Sequence, residues 1–206
     1  IILSSNYILD NDSLLIGSTI IDAQGEGSVV TFKNGEDGNS ILQGFTLQNG
    51  NGNDEDPDSN GSFYTYGGGI YCENTAPNIK DCIIQNNTAN EGGGAGIFCY
   101  GSSPTFIGCT ISDNETDDVG GGLYARDGSN PSFYHCTFFD NVAEFGGGCY
   151  LKSSSVPIME HVTFTQNTAN NSGGGIGLKD DANIEASYLF VTENIAEGLG
   201  GGLYIN

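Results

Sequence analysis

Positive charge is scarce in this sequence. Among 206 residues there are 5 Lys and Arg against 26 Asp and Glu, which gives a formal net charge of −21. Proteins that bind nucleic acid neutralise phosphates with clustered cations, and attraction to an anionic membrane surface needs a similar cluster. The composition therefore excludes nucleic acid and anionic bilayers as expected partners. Such acidity favours solubility, cation binding and a salty exterior setting.

Long apolar runs are also missing. No stretch of 18 apolar residues occurs, so the sequence predicts no transmembrane helix. The chain has no initiator Met and no signal peptide, and its apolar ends, Ile1–Leu3 and Leu203–Ile205, lack the polar caps of a complete repeat array. We interpret residues 1–206 as a single segment of a longer protein.

Glycine, in contrast, is abundant and periodic. The sequence holds 33 glycines, and a glycine triplet followed by a short apolar stretch returns along the chain. The first residue after each copy lies at position 70, 97, 123, 149, 176 or 203, so the steps are 27, 26, 26, 27 and 27 residues. A period this steady indicates a repeat architecture. Helices are excluded as the main element, because each glycine costs a helix about 1 kcal/mol.

Aligning the repeats places like residues in columns. Two apolar columns, two residues apart, mark the inward face of a strand. Their members are Cys82, Cys109, Cys136, Val162 and Leu189, followed by Ile84, Ile111, Phe138, Phe164 and Val191. Stacked coils would set like side chains about 4.8 Å apart, so that apolar residues fill a core and a recurring asparagine forms a ladder. The prediction is an all-β fold, a right-handed parallel β-helix with coils of 26–27 residues.

An acidic stretch interrupts the pattern. Residues 51–62 (NGNDEDPDSNGS) follow the degenerate β-prone runs of residues 1–50, and we predict that they form an inserted surface loop. Within the loop, Asp56, Asp58 and Asn60 precede a glycine and match the opening of a calcium loop, in which oxygen ligands converge. The acid expected at the twelfth position is absent. The alternatives are a Ca²⁺ site and a solvated acidic loop.

A candidate binding face follows from the alternation of side chains after each triplet. The residues at 70 and 72 face inward in this scheme, so an aromatic column between them faces outward. Its members are Tyr71, Phe98, Tyr124, Tyr150 and Tyr204, with Gly177 in place of the fifth ring. Two residues further on lie three of the five cations, Arg126, Lys152 and Lys179. The two columns would suit a surface glycan, an acidic one above all, or a protein. Alternatively, the rings only stabilise the sheet and the cations pair with neighbouring carboxylates.

Histidines and cysteines fall in columns too. His135 and His161 share a column near Glu160, with rings about 5 Å apart, but further groups for metal binding or general-base catalysis are not evident. The six cysteines lie in core columns, where we expect buried thiols, with disulfides as the alternative. Acids such as Asp113 and Asp140 recur with the repeat, whereas an active site breaks periodicity. No catalytic residue is assigned.

The paired motifs resemble a known family. Gly-Gly-x-[Ile/Leu] strands alternate with Phe-x-x-Asn strands, here 138–141 and 164–167, and this looks like the repeats of polymorphic outer membrane proteins and similar bacterial β-helix surface proteins. The resemblance covers residues 64–206 and, less clearly, 1–50. It implies a secreted or cell-surface adhesive protein. Because the acids recur with the repeat, we expect a non-catalytic structural and adhesive rod that presents a repetitive binding face. The fold also hosts pectin and alginate enzymes, so a polysaccharide lyase or hydrolase is the alternative. Unpaired strands at the ends additionally predict end-to-end stacking into filaments.

Overall fold

A computed structural model describes residues 1–10 and 12–206 as a right-handed parallel β-solenoid of about seven turns. The fold class predicted from the glycine period is confirmed. Each regular coil contributes one strand to a seven-stranded sheet and two short strands to a twelve-stranded sheet. The coil then returns along a third side, where pairing is shorter and less regular.

The seven-stranded sheet contains the strand that follows each glycine triplet. Pairing is parallel and in register, so Ile97 lies opposite both Ile70 and Leu123. Like residues of successive coils therefore stand directly above one another. The strands are Val30–Phe32, Ile70–Glu73, Ile97–Tyr100, Leu123–Arg126, Cys149–Leu151, Ile176–Leu178 and Leu203–Ile205.

The twelve-stranded sheet consists of two rows of short strands, one strand of each row per coil. In the last two coils the two short strands merge into one longer strand. The rows meet at residues with left-handed backbone, such as His135 (φ 55°) and His161 (φ 54°), which turn the chain between the two strands of a coil. The strands are Ile2–Ser4, Ile20–Asp22, Ile41–Gln43, Thr46–Gln48, Asn78–Lys80, Ile83–Gln85, Thr105–Ile107, Thr110–Ser112, Ser132–Tyr134, Thr137–Phe139, Ile158–Thr165 and Glu185–Thr192.

Two small sheets form the third side. One contains Val142–Phe145, Thr168–Ser172 and Ile195–Ala196, and the other contains Asn53–Glu55, Tyr64–Tyr66 and Glu91–Gly93. In the second sheet, Asn53–Glu55 and Tyr64–Tyr66 pair antiparallel as a hairpin. The insertion predicted as a loop therefore has β-structure at its base.

Two short helices near the start of the chain were not predicted. They are Tyr7–Asp10 and Leu14–Ser18, and the second packs Ile16 beside Thr46, whose hydroxyl donates to the Ile16 carbonyl at 2.9 Å. The longer of the two has five residues. No helix in the described part of the chain is both long and apolar enough to cross a membrane.

The interior contains the predicted columns. Phe138 and Phe164 are fully buried and stack with ring centroids 4.5 Å apart. The asparagine ladder closes one corner, where Asn114 Nδ2 donates to Asn141 Oδ1 at 3.0 Å and Asn141 Nδ2 donates to Asn167 Oδ1 at 2.9 Å. Because these amides are buried and fully engaged, they fix the register of one coil on the next.

The glycine triplets serve as turns and as contacts between coils. The first residue of each triplet has positive φ, for example 65° at Gly146. A Cβ on Gly148, the third residue of that triplet, would lie 2.5 Å from the Gly175 carbonyl oxygen of the next coil. Only glycine permits this approach without displacing the backbone.

Candidate functional site

The aromatic column lies on the outer face of the seven-stranded sheet. Its rings leave the main core, as the alternation predicts, and form a second apolar cluster with Tyr66. The expected exposure is wrong for the first four rings, because Tyr71 and Phe98 are 0% exposed and Tyr124 and Tyr150 only 5% and 8%. A second layer of chain covers them.

Residues 51–66, named the flap here, cover the first part of the column. The Tyr66 ring at the base of the flap stacks on Phe98 with centroids 4.5 Å apart and an interplanar angle of 28°. On the other side of the hairpin, Lys33 forms an ion pair of 2.5 Å with Glu55. The flap thus buries the rings of the first coils beneath an aromatic side chain and a pair of strands.

The predicted calcium ligands lie at the tip of the flap. The Asp56 carboxylate accepts the backbone N–H groups of Asn60 and Gly61 at 3.1 and 2.7 Å. Asp58 turns toward the coils and pairs with Arg126, with Nη2 and Oδ1 2.5 Å apart. Among the residues that the structure describes, no group of three or more His, Cys, Asp or Glu side chains is arranged to hold a metal ion. Calcium binding by Asp56, Asp58 and Asn60 stays a prediction.

A cleft opens where the flap ends. It has a volume of about 350 Å³ and combines the later rings of the aromatic column with two members of the cationic column. Gly177 marks its position in the sheet, and the Tyr150 ring leans over that glycine, since a Cβ there would lie 2.7 Å from Tyr150 Cδ2. The cleft is lined by Asp118, Val119, Tyr124, Phe145, Tyr150, Lys152, Lys179, Tyr204 and Asn206.

The cations of the cleft differ in their pairing. Lys152 Nζ lies 3.9 Å from Asp180 Oδ2, as the sequence analysis anticipated for a neighbouring carboxylate. Lys179 takes part in none of the ion pairs found in the described part of the chain and is half-buried. Its ammonium group is the more available of the two for an anionic ligand.

Asp118 faces these cations from the opposite wall. Burial raises the pKa of its carboxyl group, the neighbouring Asp117 raises it further, and Lys152 acts in the opposite sense. Burial also raises the pKa of the Tyr150 hydroxyl to about 12, and this hydroxyl, like that of an ordinary tyrosine, is protonated and able to donate a hydrogen bond at neutral pH. The cleft therefore offers rings, ammonium groups, a hydroxyl and a carboxyl within one concave surface.

Arg126 lies at the covered end of this surface. Its side chain is 11% exposed, the Tyr100 ring centroid is 5.1 Å from its Cζ, and its Nε is 3.3 Å from Asp127 Oδ2. Burial lowers its pKa, but contacts with Asp58 and Tyr124 outweigh that effect, so the pKa is raised and the guanidinium stays charged. Nε and Nη2 are nevertheless buried without a well-oriented hydrogen-bond acceptor. The ion pair with Asp58 is close but poorly directed.

The structure brings most of the predicted binding residues together. Tyr124, Tyr150, Lys152 and Lys179 share the cleft, whereas Tyr71 and Phe98 lie under the flap. The opposite wall, formed by Asp118, Val119 and Phe145, was missed because these residues belong to the irregular third side. Only a knowledge of how that side folds over the sheet would have identified them.

The other candidate residues lie elsewhere. The rings of His135 and His161 stack 4.8 Å apart, as predicted, and Tyr188 continues the stack at 4.4 Å. His161 Nδ1 is 3.8 Å from a carboxylate oxygen of Glu160, on an exposed surface of the twelve-stranded sheet. All six cysteines are buried free thiols, which agrees with the expectation of core residues.

Comparison with known proteins identifies the family. Residues 1–194 match the family model described as a right handed beta helix region. A search of curated proteins and a search of solved structures found no match. Right-handed β-helices of this kind occur both in enzymes, such as pectate lyases and hydrolases, and in proteins without catalytic activity. With the match covering nearly the whole sequence and the coils present in the structure, the chain belongs to the right-handed β-helix family.

Proposed function

We propose that this chain is a non-catalytic binding module of an extracellular or cell-surface protein, and that its cleft binds a carboxylate-bearing surface glycan. One observation carries the proposal: the cleft unites the aromatic column with Lys152 and Lys179, two of only five cations in a chain of net charge −21. Sugar rings stack on aromatic faces, and their carboxylates pair with ammonium groups. Concave sites with apolar walls and a few placed polar groups are the usual form of a ligand site.

We assign roles to these residues from their positions in the cleft. The half-buried Tyr204 ring would stack on the apolar face of a sugar, and Tyr150, which is 8% exposed and leans over Gly177, would form the floor of the cleft beside it. Lys179 would bind the carboxylate, because among the described residues its ammonium group forms no ion pair. The Asp118 carboxyl on the facing wall would hydrogen-bond sugar hydroxyl groups.

Binding of uronic-acid oligosaccharides, measured by titration calorimetry, tests this proposal. Lys179→Gln and Tyr204→Ala should each weaken binding about tenfold, which corresponds to the loss of roughly 1.4 kcal/mol. Lys80→Gln and Tyr188→Ala are matched controls, since they change the same residue types on the twelve-stranded sheet and should leave the affinity unchanged. The assignment would be contradicted if the control variants lost as much affinity as Lys179→Gln and Tyr204→Ala, or if the chain bound a protein and no oligosaccharide.

A polysaccharide lyase or hydrolase is the second candidate. The observation that favours it is the raised pKa of Asp118, a carboxyl group placed opposite Lys152 in the cleft, because perturbed acids beside cations are typical of catalytic sites. Incubation with the same oligosaccharides separates the two functions. Chain shortening that Asp118→Asn abolishes would establish an enzyme, whereas binding without product supports the module.

A further inference from the structure

We infer that the outer face of the seven-stranded sheet has a second carboxylate-binding subsite at Arg126, beside the cleft, and that the chain's own Asp58 occupies it. The open cleft and this covered subsite together are named the groove here. This inference rests on the proposed glycan function of the open cleft and extends it along the same face. Arg126, Lys152 and Lys179 occupy equivalent positions on three successive coils. With strands about 4.8 Å apart, Arg126 lies roughly 10 Å from Lys179 along the axis.

The contacts of the flap reproduce those expected of a ligand. Asp58 places a carboxylate on Arg126, and Tyr66 places a ring on Phe98 of the aromatic column. An acidic group on a cation, beside a flat ring on an aromatic side chain, is the combination that the open cleft offers to a glycan. The flap is therefore an internal occupant of the covered half of the groove.

The fit of this occupant is incomplete. Arg126 Nε and Nη2 are buried without well-oriented acceptors, although Asp58 Oδ1 lies 2.5 Å from Nη2 and Asp127 Oδ2 lies 3.3 Å from Nε. Carboxylates that bind arginine well do so through two parallel hydrogen bonds. A ligand carboxylate free to orient itself would satisfy donors that Asp58, constrained by its loop, leaves unmatched.

The flap tip is weakly held. Among the described residues, the polar contacts of residues 56–62 are internal to the tip, apart from the Asp58–Arg126 pair. Asp58 itself has a side chain 40% exposed, so water and ligand reach it directly. Displacement of Asp58 therefore requires only one ion pair to break.

Competition with Asp58 has a measurable consequence. A ligand that spans both halves of the groove binds only when the Arg126 end is open, so its apparent affinity is reduced by the open fraction. The affinity of a ligand that fills only the open cleft does not depend on the position of the flap. Ligand length therefore separates the two halves of the groove.

The experiment compares a uronic-acid dimer and hexamer in calorimetric titrations of the 206-residue chain. Asp58→Asn should tighten hexamer binding about fivefold and leave dimer binding unchanged. Asp54→Asn is the matched control, because it removes the same charge from the exposed face of the same hairpin and should alter neither affinity. The double variant Asp58→Asn/Arg126→Gln should lose the gain for the hexamer.

Amide hydrogen exchange gives a second measurement. The hexamer should increase exchange in residues 56–62 of the wild type, since it expels the tip, and the dimer should not. The second subsite is overturned if Asp58→Asn binds the hexamer no more tightly than the wild type, or if the hexamer slows amide exchange in the tip. If the dimer still binds in that case, the proposed function of the open cleft stands. If neither ligand binds any variant, both the subsite and the proposed function are overturned. If only Asp58→Asn binds the hexamer and the dimer never binds, the subsite is supported and binding in the open cleft is overturned.

Discussion

Asp118 is a carboxylic acid in a partly apolar setting. Val119 and Phe145 lie beside it in the cleft wall, and its nearest influences are the like charge of Asp117 and the cation of Lys152. Burial disfavours the ionised form, so the folded state holds the proton to a higher pH than the unfolded state does. This is the reverse of a stabilising salt bridge, in which the pKa of the acid falls.

The linkage between protonation and folding gives the sign of the pH dependence. Since the pKa of Asp118 is raised above its ordinary value of 3.8, the folded chain binds more protons between those two values. The contribution of Asp118 to stability therefore falls as pH rises through that window, and the cost is complete above it. At pH 7 the ionised side chain opposes folding.

Replacing Asp118 by Asn should therefore stabilise the chain at pH 7 and not at pH 3. We expect a gain of roughly 0.5–1 kcal/mol, larger than most surface substitutions produce. Urea midpoints at the two pH values measure it. Asp54→Asn is the control for the loss of one negative charge, and a gain for Asp118→Asn that matches the control, or persists at pH 3, would refute the burial effect.

At the scale of the element, the glycine triplet is a contact between coils. A Cβ on Gly148 would lie 2.5 Å from the carbonyl oxygen of Gly175, whereas a Cβ on the equivalent Gly202 would have only Val191 Cγ1 near it, at 3.5 Å. Both occupy the third position of a triplet with φ outside the left-handed region. The two sites therefore differ in coil contact and not in backbone strain.

Gly148→Ala should destabilise the chain by about 1–3 kcal/mol, because the added methyl group overpacks the interface between coils. Gly202→Ala should cost less than about 0.5 kcal/mol, since its surroundings accept a Cβ. Chemical denaturation of the two variants in parallel measures the difference. Equal effects would mean that the triplet acts only through the turn and that stacking tolerates a side chain.

These elements also show which parts of the structure could be predicted from the sequence. The recurring asparagine and the glycine triplet could be identified because the coils stack in register, so residues that recur in the sequence form columns in the structure. The flap and the wall at Asp118 follow no period. Their positions depend on antiparallel pairing and on Tyr66 docking against Phe98, which are tertiary contacts between segments with no shared pattern.

At the scale of the whole molecule, charge repulsion is the dominant electrostatic term. A net charge of −21 on a rod with few cations disfavours the compact state, and salt screens that repulsion. The melting temperature should therefore rise by several degrees between about 10 mM and 500 mM NaCl, because the screening length falls from about 30 Å to less than 10 Å. Thermal unfolding followed by circular dichroism measures the shift. A melting temperature independent of salt would mean that the carboxylates are already paired or neutral.

Calcium chloride at matched ionic strength supplies the control for specific cation binding. Screening alone predicts equal shifts for the two salts, whereas a site at Asp56, Asp58 and Asn60 adds a further increase. Asp56→Asn would remove that increase.

The missing ring at Gly177 has one more consequence, which concerns position along the rod. A lattice of near-identical coils gives a chain-like ligand many equivalent placements, because a slide of one coil exchanges every contact for its copy. Gly177 breaks that translational symmetry at one level of the stack. A polymer bound as proposed would therefore have a preferred position along this face, which Gly177 helps to define together with the flap and the wall at Asp118.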